Sequence, residues 1–171
     1  MILRIIKVVL FFTFFITFNA QAEKIVIVDI NSLISNSSAG QSIKLKIKEE
    51  KENLAKLLKK KEDNLKEQEK KLVSQKNVLS EEEFKKKAKS FNEKLNLYKK
   101  EKKTKLDEIA NNRNKRVAKL LENVNELLVE YSTKNSITLV VDKKYTIISK
   151  NEIDITKTIL DLLNNKIKKI N

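Results

Sequence analysis

The 171-residue chain has no cysteine, histidine, tryptophan or proline, and its only glycine is Gly40. Each absence excludes a class of protein. No disulfide can form, and without thiolate or imidazole ligands the usual zinc sites cannot be built. Imidazole and thiolate catalysis fail for the same reason. A loop that cradles phosphates on backbone amides needs several glycines. The chain is therefore not expected to be an enzyme, nor to carry a cofactor or metal. Aromatic residues are scarce, at 6%. Charge is abundant instead. Asp, Glu, Lys and Arg make up 35% of the residues, and 37 basic against 23 acidic residues give a net +14. Such a composition favours long, solvent-exposed helices over a compact catalytic domain.

The N-terminus has the three-part layout of a secretory signal peptide. Arg4 and Lys7 are basic, Val8 to Phe18 is apolar apart from Thr13 and Thr17, and Ala20-Gln21-Ala22 has the small-x-small form of a cleavage site. The 15 uncharged residues from Val8 to Ala22 fall short of the roughly 20 that span a bilayer. Cleavage is expected between Ala22 and Glu23. The mature chain would then hold 35 basic and 23 acidic residues, a net +12, and five of the seven phenylalanines would leave with the signal. Export changes the meaning of the charge. A basic cytosolic protein suggests nucleic acid, whereas a basic exported one meets anionic membrane surfaces or acidic polypeptides.

After residues 1–22 the pattern divides the chain into a body, 23–42 and 133–171, and an arm, 43–132. The body opens on a β-branched strand, Lys24 to Ile30, followed by one or two helical turns around Leu33 and Ile34. The polar stretch Ser35 to Ser42, with the single glycine, has the composition of a hinge. Downstream, Ile137 to Asp142 and Tyr145 to Ile148 flank Lys143-Lys144 and predict a tight β-hairpin. Asp154 is a plausible N-cap for a final amphipathic helix carrying Ile155, Ile159, Leu162, Leu163 and Ile167.

The arm shows a heptad rhythm. Ile47, Leu54, Leu58, Leu65, Leu72 and Leu79 fall on one seam, while Phe84, Ala88, Phe91, Leu95 and Tyr98 step by 4, 3, 4, 3. This is coiled-coil periodicity. Ser80-Glu81-Glu82-Glu83 matches a capping box, with Leu79 and Phe84 at the positions of a hydrophobic staple. Asn77 would supply a left-handed residue ending the preceding helix. The expected arrangement is two antiparallel helices, 43–76 and 81–132, folding back at 77–80 rather than one continuous rod. Leu65 would face Leu95, Leu72 would face Ala88 and Leu54 would face Leu106. Lys61, Gln68 and Gln75 occupy positions that an ordinary seam would fill with apolar residues, and Lys102 interrupts the return helix. The seam is therefore thin.

Both strands are apolar on both faces, unlike a strand with one wet side. Further copies of the sheet are the expected cover, so Ile25, Val26, Ile27, Val28, Ile30, Ile137, Leu139, Val140 and Val141 are candidate oligomerisation residues. Residues 43–131 carry 26 basic and 17 acidic residues, a net +9. Candidate binding residues on the arm are Lys59, Lys60, Lys61, Leu65, Leu72, Leu79, Phe84, Lys85, Lys86, Lys87 and Phe91. They combine positive charge with thinly covered apolar surface. The fold class is α+β: a small β body, oligomeric and barrel-like, with a long helical hairpin of coiled-coil type.

In order, EKIVIVDINSLI, a lysine-rich helical hairpin, ITLVVDKKYTIIS and DITKTILDLL resemble the Skp/OmpH-like family of periplasmic chaperones. The resemblance is clearest at residues 23–40 and 133–165, and the arm matches in length and composition. It implies a homotrimer whose strands form a central β body. Three arms would enclose unfolded outer-membrane proteins without ATP. The expected partners are therefore unfolded outer-membrane proteins and an anionic membrane surface, with no nucleic acid. A structural or adaptor coiled coil of the envelope is the alternative, and a basic nucleic-acid-binding protein a weaker one that the signal sequence disfavours.

Overall fold

The computed structural model describes residues 23–170, so the segment read as a signal peptide, residues 1–22, lies outside the described residues. Two short strands and four helices follow in the order β1 (Ile25–Val28), α1 (Ile30–Asn36), α2 (Ser38–Ser74), α3 (Glu81–Lys134), β2 (Leu139–Asp142) and α4 (Thr156–Lys166). β1 and β2 pair in parallel, with Ile25 opposite Leu139 and Val28 opposite Asp142. A parallel pair needs a long crossover, and here the crossover is the helical arm itself. On its other edge β1 meets the chain before α4: Ile27 bridges to Asp154, and the Ile155 amide donates to the Ile27 carbonyl at 2.9 Å.

The strand reading therefore needs three corrections. Ile30 is not in β1, because the Asp29 carboxylate accepts the Ser32 amide at 2.8 Å and starts α1. The predicted β-hairpin does not form. Asp142 instead caps a 3-10 turn at Lys143–Tyr145, and the partner of β2 is β1, more than a hundred residues away. Finally, Val26, Ile27 and Val28 are buried by their own chain. The argument that β1 needs sister copies to cover its second face fails, since these residues are at most 3% exposed in a single copy, where Val26 and Val28 share a cluster with Leu33, Ile159 and Leu163.

The expected hinge is absent too. α1 and α2 are separated by Ser37 alone, a fully buried residue whose hydroxyl accepts the Gly40 amide at 3.1 Å. Polar residues here serve as caps rather than as a flexible link, which composition alone does not distinguish. Leu33, Leu120, Val124, Ile159 and Leu163 are fully or almost fully buried and join Val26 and Val28 in one core. Each such side chain contributes about 1.5–3 kcal/mol.

From this body α2 and α3 project as an antiparallel hairpin, as expected. α2 alone is 37 residues long, about 55 Å at 1.5 Å per residue. The capping box at Ser80 and Glu83 is fully formed. The Asn77 expectation is wrong: α2 ends at Gln75 in right-handed conformation, and the Val78 and Leu79 amides donate to the Gln75 carbonyl. Among the described residues the only non-glycine with positive φ is Ser136, just after α3.

Candidate functional site

Burial fades along the arm. Ile43, Ile47, Leu54 and Leu58 on α2, and Ile109, Leu120, Val124 and Leu127 on α3, are buried near the body. Farther out, Leu65, Leu72 and Leu79, with Phe84, Phe91 and Leu95, are only half-buried. One expected facing pair is not formed as such. Leu54 and Ile109 both enter the buried cluster, whereas Leu106, the expected partner of Leu54, stays 46% exposed.

The reason for the fading is a polar ladder. The residues that thin the seam, Lys61, Gln68 and Gln75, stand seven apart on α2. They meet Glu101, Lys94 and Lys87, seven apart on α3. Lys61 Nζ donates to Glu101 Oε1 at 2.6 Å, Lys94 Nζ to Gln68 Oε1 at 2.7 Å and Lys87 Nζ to Gln75 Oε1 at 2.9 Å. Half-exposed polar pairs of this kind contribute about 0–1 kcal/mol each, well below a buried leucine pair. Lys102 is accommodated similarly. It lies 5.9 Å from the Tyr98 ring centroid and 3.4 Å from Glu62, whose carboxylate accepts the Tyr98 hydroxyl. The Tyr98 hydrogen bond, helped by Lys102, holds the Glu62 carboxyl below its ordinary pKa, and the same bond raises that of Tyr98.

Where the ladder replaces an apolar row, the arm is grooved. One cavity of about 400 Å³ is lined by α2 residues from Leu57 to Gln68 and α3 residues from Lys94 to Glu101. A second, of about 200 Å³, continues it from Gln68 to Gln75 and from Lys87 to Lys94. They share Gln68 and Lys94 and follow one helical stripe on each helix. The combined groove runs about 27 Å, from Leu57 to Gln75. Its floor is Leu57, Leu65, Leu72, Phe91, Leu97 and Tyr98, and its rim carries Lys60, Lys61, Lys71, Lys87 and Lys94. Glu101 is the one acidic residue on the rim and is already paired with Lys61.

The groove gathers Lys60, Lys61, Leu65, Leu72, Lys87 and Phe91 from the candidate binding residues. It does not gather the others. Lys59 and Lys85 pair with Asp63 and Glu81 on their own helices, Lys86 is exposed, and Leu79 and Phe84 are half-buried beside the turn. Leu57, Leu97, Lys71 and Lys94 were missed because they lie beside the heptad seam. Their signal was helical spacing relative to Lys61 and Gln68. Among the candidate oligomerisation residues, Ile25 and Leu139 are exposed, Ile30, Ile137, Val140 and Val141 are half-buried, and Val26, Ile27 and Val28 are core.

A family model described as Outer membrane protein (OmpH-like) matches residues 24–163. The chain belongs to the OmpH-like family. The match spans body and arm alike, so both are parts of the OmpH-like fold. A solved OmpH-like structure from Caulobacter crescentus CB15, provisionally described as an outer membrane chaperone, agrees with a TM-score of 0.80. The alignment covers 90% of each chain at 14% identity, which establishes the shared fold and nothing about binding. No curated protein matches the sequence. Among the described residues, no helix of this OmpH-like chain is long and apolar enough to cross a membrane.

Proposed function

We propose that this OmpH-like protein is an ATP-independent periplasmic holdase, which binds unfolded outer-membrane proteins between basic arms and prevents their aggregation. The observation that carries the reading is the lysine-rimmed apolar groove on an arm of net charge +9. It offers charge and hydrophobicity without a shaped, selective pocket, which suits weak retention of many chains. The signal-like N-terminus supports export, with cleavage between Ala22 and Glu23. Family resemblance supports a homotrimer, with residues 23–42 and 133–171 as its body and 43–132 as each arm. Release follows from client folding or competition, since the chain has one glycine and no phosphate-binding loop.

The test is dilution of a urea-denatured β-barrel protein into buffer with and without the mature chain. Light scattering should fall as the molar ratio approaches the number of arms that enclose one client. Unchanged scattering at molar excess overturns the reading. A structural coiled coil of the envelope would give that result.

A further inference from the structure

We infer that the arm groove takes an extended polypeptide segment of about eight residues, with large apolar side chains on the floor and acidic ones on the lysine rim. The inference rests on the holdase reading and names the segment that the arm selects. The length follows from geometry: about 27 Å of groove accommodates eight residues at roughly 3.3 Å each. Apolar selectivity comes from the floor. Leu97 and Leu57 lie at its upper end, 67% and 44% exposed, so part of each side chain stays open to an occupant.

Acidic selectivity comes from the imbalance on the rim. Of the five rim lysines, Lys61 is paired with Glu101 and Lys71 with Glu67 on its own helix, which leaves Lys60, Lys87 and Lys94 without a carboxylate partner. Lys87 and Lys94 are held toward the groove by neutral glutamine oxygens, so their charge is not neutralised. Lys60 has no ion-pair partner among the described residues. The same imbalance argues against a second copy's arm as occupant. That arm would bring another net +9 into the groove, and like charges in close apposition repel. An acidic, apolar segment satisfies rim and floor together.

Two measurements on the mature chain test this. Fluorescent eight-residue peptides with identical leucines and phenylalanines, and either glutamates or lysines between them, are compared by anisotropy. The acidic peptide should bind at least about tenfold more tightly, from a few half-exposed charge pairs, and lose that advantage in 0.5 M salt as screening shortens. Leu57→Ser with Leu97→Ser should weaken it about tenfold through lost apolar burial, whereas Leu106→Ser should leave it unchanged. Circular dichroism checks that each variant retains its helices. Equal binding of the two peptides, or equal effects of both sets of substitutions, overturns the inference.

In the second measurement, a photo-cross-linking residue at position 97 or 106 is irradiated with a denatured β-barrel protein present. Cross-links from 97 and not from 106 support the groove. Cross-links from 97 to another copy's arm overturn it. Should aggregation be suppressed while the peptide results fail, the holdase reading survives and the groove assignment falls. If scattering is unchanged, the holdase reading falls, and the peptide comparison still decides what the groove binds.

Discussion

Gly40 sits where any side chain would collide with backbone. A Cβ there would lie 1.7 Å from the Ile34 carbonyl oxygen, because the one-residue link at Ser37 folds the start of α2 against the end of α1. Backbone cannot yield as a flexible side chain can, so Gly40→Ala should cost about 3 kcal/mol, measured by urea denaturation of the mature chain. The sequence marked this glycine only as a hinge. Its actual role depends on the approach of two helices, which no local window contains. Asp154 was only partly legible: it is not the N-cap of α4, which is Ile155 with no side-chain cap, but it stands one residue earlier and still bonds the first turn. Its Oδ1 accepts the Thr156 amide at 2.9 Å, and its Oδ2 takes a hydrogen bond from Lys143 at 2.6 Å. Burial pushes this carboxyl up, but the hydrogen bonds from Lys143 and Thr156 outweigh it and leave its pKa below the ordinary value. A depressed acid stabilises the fold above its unfolded pKa of about 3.9 and loses that contribution as the pH falls through its folded value. Asp154→Asn should therefore melt below the wild type at pH 7, with the gap closing as the pH drops below about 4. A gap independent of pH would mean that the carboxylate charge contributes nothing.

The elements themselves were legible where their signals are local or periodic. The capping box at Ser80 marked the fold-back, and the heptads of α2 and α3 gave the antiparallel pairing to within two residues, since Lys61 meets Glu101 where the expected register places Lys99. The strands were not, because β2 pairs with β1 across the entire arm, and a two-residue lysine turn between apolar runs looks the same as a hairpin until that pairing is known. The ladder was visible only as a defect in the seam. Its partners on α3 required the register, and its consequence, a groove, required both helices. Filling the defect should exchange function for stability. Gln68→Leu with Gln75→Leu would extend the buried row beyond Leu58, and half-burial of each leucine should stabilise the distal arm by about 1 kcal/mol. Hydrogen exchange of amides between 60 and 100 should slow accordingly. The same variant should suppress aggregation of a denatured β-barrel protein less well than the wild type, since the seam would close and the rim lose its polar anchors. Faster exchange in the distal arm would show that the ladder is the better-packed arrangement.

For the whole molecule, the sheet's burial changes what an oligomer would be for. With Val26, Ile27 and Val28 covered by the chain itself, burial of β1 does not require a second copy. What remains uncovered is the outer side of β2 and the segment after it. Leu139 and Ile25 are exposed, and Ile147 and Ile148 are 100% and 91% exposed. On the opposite face of the sheet a cavity of about 480 Å³ lies against α3, lined in part by Val28, Ile30, Leu128, Ile137 and Val140. Large apolar side chains left open to solvent, as at Leu139, Ile147 and Ile148, suit an interaction site, and identical copies meeting there would set several arms around one space. The mature chain should accordingly sediment as an oligomer at micromolar concentration, with three copies expected from family resemblance. Leu139→Lys with Ile147→Lys and Ile148→Lys should dissociate it, because each charge would be buried unpaired in the joined state. The dissociated chain should keep its helical circular dichroism and its cooperative melt, since Leu33, Leu120, Ile159 and Leu163 form a core internal to one copy. It should nevertheless hold denatured clients poorly at the same arm concentration, because separate arms lose the effective concentration that a shared space provides. A wild-type chain that sediments as single molecules would remove the interface. A dissociated variant that unfolds would restore the original expectation that the sheet depends on its sisters.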